Sequence, residues 1–319
     1  MTSVPVVRTV TLSPGYDDHF IVTGVEWGGV GTVVDYHSVP AGKGVNLART
    51  ASWLGASAWA YALVGEPDAA DFGARLDAEG IPHALVAVPE HTRHNLTLTI
   101  AGTGQTAAHT VGRRLRRVTP EHVAALRERL VADVRPGDVV TLNGALPDVL
   151  PTDTWAGFVR ALDGRGVRIL LDLHDEPLLA ALGAGRAYAA KPNEEEVLVL
   201  PGVTADVDPR RRAVAALRVL AGYGVVMPLV TLGAHGVAHL RDGRAVVSSV
   251  PVGGPVIKVV GAGDAFLAGV AAAVAAGRDD DAVALGLAAA TAHVRGLGRE
   301  GLDAFVREVM PRVMTTTLG

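Results

Sequence analysis

The spacing of apolar residues changes along the chain near residue 119. Beyond that point, amphipathic stretches with helical spacing alternate with short apolar runs, such as 139–142, 168–171 and 227–231. Apolar runs of this length between helical segments are typical of buried parallel strands. The alternation therefore predicts an α/β fold, in which helices cover both faces of a mostly parallel sheet.

Two early regions do not follow this rhythm. Residues 13–40 and 92–112 are rich in β-forming residues and are broken by glycines and turn residues. We expect them to form a small separate sheet above the carboxyl ends of the main strands, where α/β proteins bind ligands. No internal repeat or low-complexity tract divides the chain, so residues 1–319 are predicted to be a single domain.

The alternation of helices and strands continues to about residue 231, and a different pattern follows it. The segment 194–199 belongs to the alternating series, and two short strands at 237–240 and 245–250 flank an Asp-Gly turn, which predicts an antiparallel pair. Two helices, at 265–276 and 280–294, are then predicted to close the chain.

Composition excludes several functional classes. The chain has 319 residues, is 49% hydrophobic and carries a formal net charge of −4, which indicates a globular protein and argues against nucleic-acid binding. It contains no cysteine, which excludes disulfides and thiolate metal sites. The start of the chain lacks a signal-peptide pattern, and the longest apolar stretch is too short to span a bilayer. We expect a cytoplasmic protein without a membrane partner.

Two common phosphate-binding motifs are not satisfied. A Walker loop ending at Gly42-Lys43 would need a glycine at His37 and a hydroxyl at Gly44. A dinucleotide motif that began at Gly29 would need a glycine at Val34. A nucleotide site of either kind is not predicted.

The segment VGAGDAFLAG offers another way to bind phosphate. Gly261, Ala262 and Gly263 have little or no side chain and precede a predicted helix, so their N–H groups can approach an anion closely. Asp264 would then face the group that receives the phosphoryl and could accept its proton. On spacing alone, a simple N-cap is the favoured interpretation of Asp264.

The segment AGKGVNLA has related features. Gly42 and Gly44 precede a predicted helix and allow a ligand to come close, while Asn46 offers a donor and an acceptor to a hydroxyl. The alternative interpretation is a glycine-lined turn followed by an ordinary amphipathic helix.

Together these two segments resemble the signatures of the ribokinase-like (PfkB) carbohydrate kinase family. Weaker similarities lie between them at KPNEEE (191–196), at TLGAHG (231–236) and at Asp172, which ends a strand. The resemblance runs from about residue 7 to residue 310. It implies a three-layer α/β/α fold with a small β-sheet lid, formed by about residues 13–40 and 92–112.

The resemblance also implies a reaction and a set of site residues. Members transfer the γ-phosphoryl group of ATP to a sugar hydroxyl with the help of Mg²⁺. By this match Asp264 is the catalytic base, and residues 261–263 form an anion hole. Glu196 would hold the metal through water. The remaining implied residues bind sugar (Gly42, Lys43, Asn46) or nucleotide (Lys191, Asn193, Glu196, Thr231, Gly233, Gly236, and His293 near the adenine).

The opening segment TLSPGYD resembles the hexose-phosphate branch of the family. That branch includes 1-phosphofructokinase, 6-phosphofructokinase and tagatose-6-phosphate kinases. By this match Asp17 accepts hydrogen bonds from sugar hydroxyls, and Arg93, in TRHNLTL, meets the substrate phosphate. The family often forms homodimers through the lid.

Other functions stay open because the chain departs from the branch pattern. The lid segment GGVGTVVDY lacks the usual cation, which favours an unphosphorylated sugar, a nucleoside or a specialised metabolite as acceptor. The basic segment GRRLRR could supply cations, although exposed arginines are more often solvated. A non-catalytic sugar-binding regulator is the third alternative, against which the intact Asp264 and Asn46 argue.

Overall fold

The computed structural model describes residues 4–25, 28–103, 106–205, 208–251 and 253–318. Within them the strands are β1 (Val7–Thr11), β2 (Gly15–Val22), β3 (Val33–Ala41), β4 (Ala58–Gly65), β5 (His83–Val88), β6 (Arg93–Ile100), β7 (Thr106–Thr110), β8 (Val139–Asn143), β9 (Arg168–Asp172), β10 (Ala189–Ala190), β11 (Met227–Thr231), β12 (Val237–Arg241), β13 (Arg244–Ser249) and β14 (Met314–Thr317). The helices are α1 (Lys43–Trp53), α2 (Ala69–Ala78), α3 (Pro120–Asp133), α4 (Thr154–Leu162), α5 (Asp175–Leu182), α6 (Pro209–Gly222), α7 (Ala262–Ala275), α8 (Ala282–Val294) and α9 (Arg299–Val309).

The larger sheet has ten strands in the order β14-β13-β12-β11-β10-β9-β8-β1-β4-β5. All neighbours from β11 to β5 are parallel, and β12, β13 and β14 extend the sheet as antiparallel strands. The predicted α/β class with a mostly parallel sheet is confirmed. The parallel strands place their carboxyl ends along one edge, where loops can build a site.

Two apolar cores cover the two faces of this sheet. Trp155 and Phe158 of α4 are fully buried on one face, together with side chains of α3, α5 and α6. Phe72 of α2 lies in the core on the other face, with side chains of α1, α7, α8 and α9. A Cβ added to Gly269 would lie 2.7 Å from the backbone of Gly286, so α7 and α8 touch at their backbones. The many small residues of α7 thus serve close helix packing.

The smaller sheet has four strands in the order β3-β2-β6-β7. Strand β2 is parallel to β6 and antiparallel to β3, and β6 is antiparallel to β7. All four strands lie in the two β-rich regions, 13–40 and 92–112. Only the final residue of β3 lies outside these bounds. This sheet is called the lid sheet below.

The structure differs from the sequence-based expectations in two places. The strand between β9 and β11 is Ala189–Ala190, and the segment 194–199 instead contains a 3₁₀ turn, Glu196–Val199. The expectation that two helices close the chain is wrong, because α9 and β14 follow them. Among the described residues, no helix is both long and apolar enough for a membrane crossing.

Candidate active site

Asp264 lies in the first turn of α7 and is only 8% exposed. Gly261 precedes the helix with φ of 92°, a left-handed conformation that favours glycine. The first N–H groups of a helix lack intrahelical partners and lie at its positive end. The Ala262 N–H donates to the Val259 carbonyl at 3.1 Å, so the Gly261 and Gly263 amides are the donors in this compact turn that are suited to an anion, and Asp264 lies beside them.

Asn46 connects this turn to the other motif. Its Nδ2 donates to Oδ2 of Asp264 at 3.2 Å, across 218 residues of sequence. Helix α1 begins at Lys43, directly after Gly42, whose φ is 124°. A Cβ on Gly44 would lie 2.3 Å from Thr11 Oγ1, so this turn needs glycine to pack on the end of β1. The structure thus brings the two sequence motifs into direct contact.

A buried ion-pair cluster lies behind Asp264. Asp172 ends β9 and is 1% exposed, and its carboxylate lies 3.0 Å from Lys191 Nζ and 3.3 Å from Lys43 Nζ. A Cβ on Gly263 would lie 3.4 Å from Lys191 Nζ, which places that ammonium beside the helix turn. Two cations therefore lie close to the candidate anion site.

The environment shifts the pKa of both carboxyls. Burial would raise the pKa of Asp172, but the Lys191 and Lys43 ammoniums outweigh it and hold this pKa below its usual range. Burial, followed by the charge of Asp172, raises the pKa of Asp264 to about 7, against the effects of Lys43, Asn46 and Lys191. A carboxyl with a pKa near neutrality is well matched to proton transfer at physiological pH.

A cavity of about 270 Å³ opens onto Asp264. Asp17, on the lid sheet, lines it and accepts a 2.7 Å hydrogen bond from Asn95 Nδ2. His293, at the end of α8, lines it too, and its Nε2 donates to the Val260 carbonyl at 2.7 Å. Burial lowers the pKa of His293 against the opposing effect of the hydrogen bond to Val260, and the charge of Lys258 adds a smaller lowering. Of the residues that line this cavity, those used below are Asp17, Asn46, Arg49, Gly261, Asp264 and His293.

Asn193 and Glu196 form a tight turn near the ends of β10 and β11. Glu196 Oε2 accepts from the Asn193 backbone N–H at 2.9 Å, and Asn193 Oδ1 accepts from the Glu195 and Glu196 N–H groups at 2.8 Å each. Asn193 also pairs with Thr231 in an isolated parallel bridge. The charge of Glu196 contributes to raising the pKa of Lys43, after the larger effect of Asp172.

The turn after β11 contains the other residues predicted to lie along a nucleotide. Gly233 has φ of 55° and Gly236 has φ of 98°. A Cβ on Gly236 would lie 2.2 Å from the Ser248 carbonyl, so the chain passes β13 closely at that point. Thr231 precedes this turn and adjoins Asn193, which places both segments on the same edge of the sheet.

Arg93 is already engaged by the protein backbone. Its guanidinium donates to the carbonyls of Pro14 at 3.1 Å, Ser13 at 3.0 Å and Gly112 at 3.5 Å. Burial lowers its pKa, and the charge of Arg114 adds to that effect. Its role as a ligand of a substrate phosphate stays a prediction, since these contacts anchor the lid sheet to the loop after β1.

The side chains present fit a nucleotide and a magnesium ion. The turn at 261–263 cannot accept larger side chains freely, since a Cβ on Gly261 would lie 2.9 Å from His293 Nε2. No group of three or more His, Cys, Asp or Glu in the described ranges could hold a metal alone. Mg²⁺ commonly keeps several waters and binds one or two carboxylates together with substrate phosphates, which a single Glu196 can satisfy.

Sequence reasoning missed two contributors to this site. In the sequence Asp172 is only one of the weaker similarities to the kinase family, whereas parallel strands β9 and β10 bring it next to Lys191. No sequence motif named above includes Arg49, yet its guanidinium donates to Asn46 Oδ1 at 3.2 Å. The spacing of three residues along α1 is a signal that could have suggested this contact.

Comparison with known proteins gives a consistent result. Residues 14–300 match the profile described as the pfkB family carbohydrate kinase. A curated relative, 1-phosphofructokinase from Xanthomonas campestris, is 30% identical over 272 residues, which cover 83% of each chain. The ATP-dependent 6-phosphofructokinase isozyme 2 of Escherichia coli is 28% identical over 305 residues, or 92% of this chain and 93% of the relative.

The fold is also that of a solved structure. Phosphofructokinase-2 from Escherichia coli, in complex with fructose-6-phosphate, superposes with a TM-score of 0.83 at 24% sequence identity. The match covers 97% of this chain and 99% of the other. The expected three-layer fold with a small second sheet is confirmed.

Proposed function

This chain belongs to the pfkB family of carbohydrate kinases, and on that basis we propose that it transfers the γ-phosphoryl group of ATP to a hydroxyl of a hexose phosphate. Its curated relatives are named for phosphorylation of fructose phosphates. The observation that carries the proposal is the Asn46–Asp264 contact in a cavity that Asp17 also lines. A buried carboxyl with polar partners at the mouth of a cleft is what deprotonation of a sugar hydroxyl requires.

Asp264 is the proposed base. It would accept the proton of the attacking hydroxyl while Asn46 holds one carboxylate oxygen and leaves the other toward the cavity. Asp17, fixed by Asn95, would accept hydrogen bonds from other hydroxyls of the sugar. Gly42 and Lys43 complete the proposed acceptor side, because they begin the helix that carries Asn46.

The turn of Gly261, Ala262 and Gly263 is the proposed anion hole. Its amides and the positive end of α7 would stabilise the negative charge of a phosphoryl group between donor and acceptor. Lys191 and Lys43 would add positive charge from beneath, since their shared partner Asp172 compensates only one of them. ATP supplies the phosphoryl group, and Mg²⁺ would neutralise its phosphates.

Glu196 and Asn193 are the proposed residues for magnesium, and they would act through water. Glu196 is already oriented by the Asn193 N–H, which leaves its other oxygen for a hydrated cation. The nucleotide would lie along the strand ends that carry Thr231, Gly233 and Gly236, with His293 near the base. Family membership supports ATP use, whereas the identity of the divalent metal is part of this proposal.

The proposal is tested by measuring ADP formation with fructose 1-phosphate, fructose 6-phosphate and tagatose 6-phosphate as acceptors. We expect saturable turnover that depends on Mg²⁺ with at least one of them. Product analysis by mass spectrometry would separate a bisphosphate product from ATP hydrolysis. Absence of turnover with all three acceptors would contradict the hexose-phosphate assignment.

One observation favours a second candidate, a kinase of an unphosphorylated sugar. Among the four lid strands the only Lys or Arg is Arg93, and its guanidinium is held by backbone carbonyls. The charge of Arg114 acts on Arg93, and Arg114 itself pairs with Asp148 at 2.9 Å. Turnover of free hexoses or nucleosides, without turnover of their phosphates, would select this alternative.

A homodimer through the lid sheet is a further part of the proposal. Val33, Val34 and Tyr36 on the edge strand β3 are each about half exposed or more, at 51%, 58% and 48%. Exposed apolar residues on a free edge strand are suited to a partner surface. Light scattering of wild type and of Val34→Lys would test it, with a monomeric wild type contradicting the assignment. The cytoplasmic location stays a prediction.

A further inference from the structure

Arg49 lies at the junction of three parts of the molecule. It follows Asn46 by three residues on α1, and its side chain is only 12% exposed. Its guanidinium donates to both carboxylate oxygens of Glu79, to the Pro40 carbonyl at 2.7 Å and to Asn46 Oδ1 at 3.2 Å. Pro40 belongs to β3 of the lid sheet, and Glu79 immediately follows α2.

The contact with Arg49 determines which way the Asn46 amide faces. A guanidinium can only donate, so the end of the amide beside it must be the oxygen. The NH₂ end then faces Asp264, where it donates at 3.2 Å. If the amide were rotated by 180°, its NH₂ group would face the donor groups of Arg49, and its oxygen would face the carboxylate of Asp264. Both contacts would be repulsive. Without Arg49, the amide would lose one of the two contacts that oppose this rotation.

Glu79 in turn holds Arg49. The pair is a two-pronged contact between a guanidinium and a carboxylate that are both largely buried, at 12% and 27% exposed. This geometry fixes the plane of the guanidinium, which a lysine could not reproduce. The same plane reaches the Pro40 carbonyl, so the position of β3 and the orientation of Asn46 depend on one side chain.

We propose that Arg49, held by Glu79, is a positioning residue that fixes the Asn46 amide against Asp264 and ties this orientation to the lid strand β3. The proposal rests on the proposed function, because it concerns how the acceptor hydroxyl is aligned with the base. Arg49 also lines the cavity beside Asp264, so direct contact with the acceptor is the alternative that the double-mutant cycle below has to separate from this role. Arg49 acts through Asn46 on the acceptor and the base. Removing Arg49 should therefore lower kcat/KM for the acceptor and leave nucleotide binding nearly unchanged.

Arg75 provides a matched control. It lies on α2, pairs with Asp71 at 2.8 Å and donates to the Ser38 carbonyl of β3 at 2.8 Å. It therefore shares with Arg49 an acidic partner and a lid-strand carbonyl, but its partners do not include Asn46. A variant at Arg75 therefore measures how much kcat/KM falls when only the contact with the lid strand β3 is weakened.

The test compares steady-state kinetics of wild type, Arg49→Met, Arg49→Lys, Glu79→Gln and Arg75→Met with a hexose phosphate as acceptor. For Arg49→Met we expect kcat/KM for the acceptor to fall on the order of 10- to 100-fold, the usual consequence of a small misalignment, with KM for ATP changed less than about twofold. Arg49→Lys should recover part of the loss, and Glu79→Gln should show a smaller loss of the same kind. Arg75→Met should stay within about twofold of wild type.

A double-mutant cycle separates positioning from general loosening. In an Asn46→Ala background, Arg49→Met should cost little further, because the group through which Arg49 acts is gone. Additive losses, or equal losses in Arg49→Met and Arg75→Met, would overturn the proposal, and so would unchanged kinetics of Arg49→Met. If Arg49→Met does not fold, Glu79→Gln and Arg49→Lys in the same cycle decide. A wild-type chain inactive with every acceptor would instead contradict the proposed function and remove this proposal with it.

Discussion

Lys191 and Asp172 form an ion pair of 3.0 Å in which both side chains are almost completely buried, at 5% and 2% exposed. Asp172 also contacts Lys43 at 3.3 Å, so a single carboxylate lies between two cations below the candidate anion hole. Buried charges are tolerated only when paired, and loss of one partner leaves the others uncompensated. The cluster is therefore both a structural weak point and a source of positive potential.

The first prediction concerns stability. Asp172→Asn keeps the shape of the side chain but removes its charge, and we expect the free energy of unfolding to fall by about 3–5 kcal/mol, as for other broken buried pairs. Urea denaturation followed by circular dichroism would measure it. Asp303→Asn, which removes the exposed pair with Arg307, is the control and should cost no more than about 1 kcal/mol. Equal effects of the two variants would contradict the prediction.

The second prediction concerns the base. Asp264→Asn should lower kcat by about 10²–10⁴-fold, the range usual for loss of a general base. Affinity for ATP, measured by calorimetry, should change little, because the amides of the turn are retained. Activity of the variant close to wild type would refute the assignment of Asp264, whatever the acceptor is.

The third prediction is a pH dependence. Burial and the charge of Asp172 raise the pKa of Asp264 to about 7, and only the ionised carboxylate can accept a proton. Hence kcat/KM for the acceptor should rise with pH and level off above about 7, with a decrease of about tenfold per pH unit below it.

A charge variant separates this effect from titration of the acceptor itself. Removal of the Asp172 charge takes away an influence that raises the pKa of Asp264, so Asp172→Asn should shift the acidic limb to lower pH. A phosphorylated acceptor titrates near pH 6, but it does so equally with both enzymes. An acidic limb that is the same in both would show that Asp264 is not the titrating group.

Much of the fold follows from local pattern. The helix α7 and the strands β8, β9 and β11 were predictable because apolar periodicity within one segment determines them. Strand β10 is only two residues long and is defined by its pairing with β9 and β11. Such a short segment has no periodicity by which the sequence could locate it. Helix α9 carries Leu302, Phe305, Val306 and Val309 at helical spacing, so the sequence contains a local signal for this helix.

The site was predictable to a smaller extent. Asp264 and Asn46 lie in glycine-rich turns whose chemistry is visible in sequence, and the structure places them in contact. The residues that orient Asn46 or shift the pKa of Asp264 include side chains outside these two turns. Arg49 gains its position from Glu79 and Pro40, 30 and 9 residues away, and no local pattern indicates that all three meet. The engaged state of Arg93 is likewise a tertiary property.

The fourth prediction compares the two glycines that flank α7. Gly261 and Gly277 both have positive φ, 92° and 69°, but a Cβ would lie 2.9 Å from His293 Nε2 at Gly261 and would meet nothing within 4 Å at Gly277. Gly277→Ala should therefore cost only the backbone penalty, about 1–2 kcal/mol of stability, with unchanged kcat. Gly261→Ala should carry the same penalty and should also displace His293 from the Val260 carbonyl and distort the anion turn.

For Gly261→Ala we expect kcat to fall on the order of tenfold or more, as when a donor to a transition-state charge is misplaced. Equal kinetics of the two variants, measured at saturating ATP and acceptor, would show that the turn at 261–263 does not hold the transferred group.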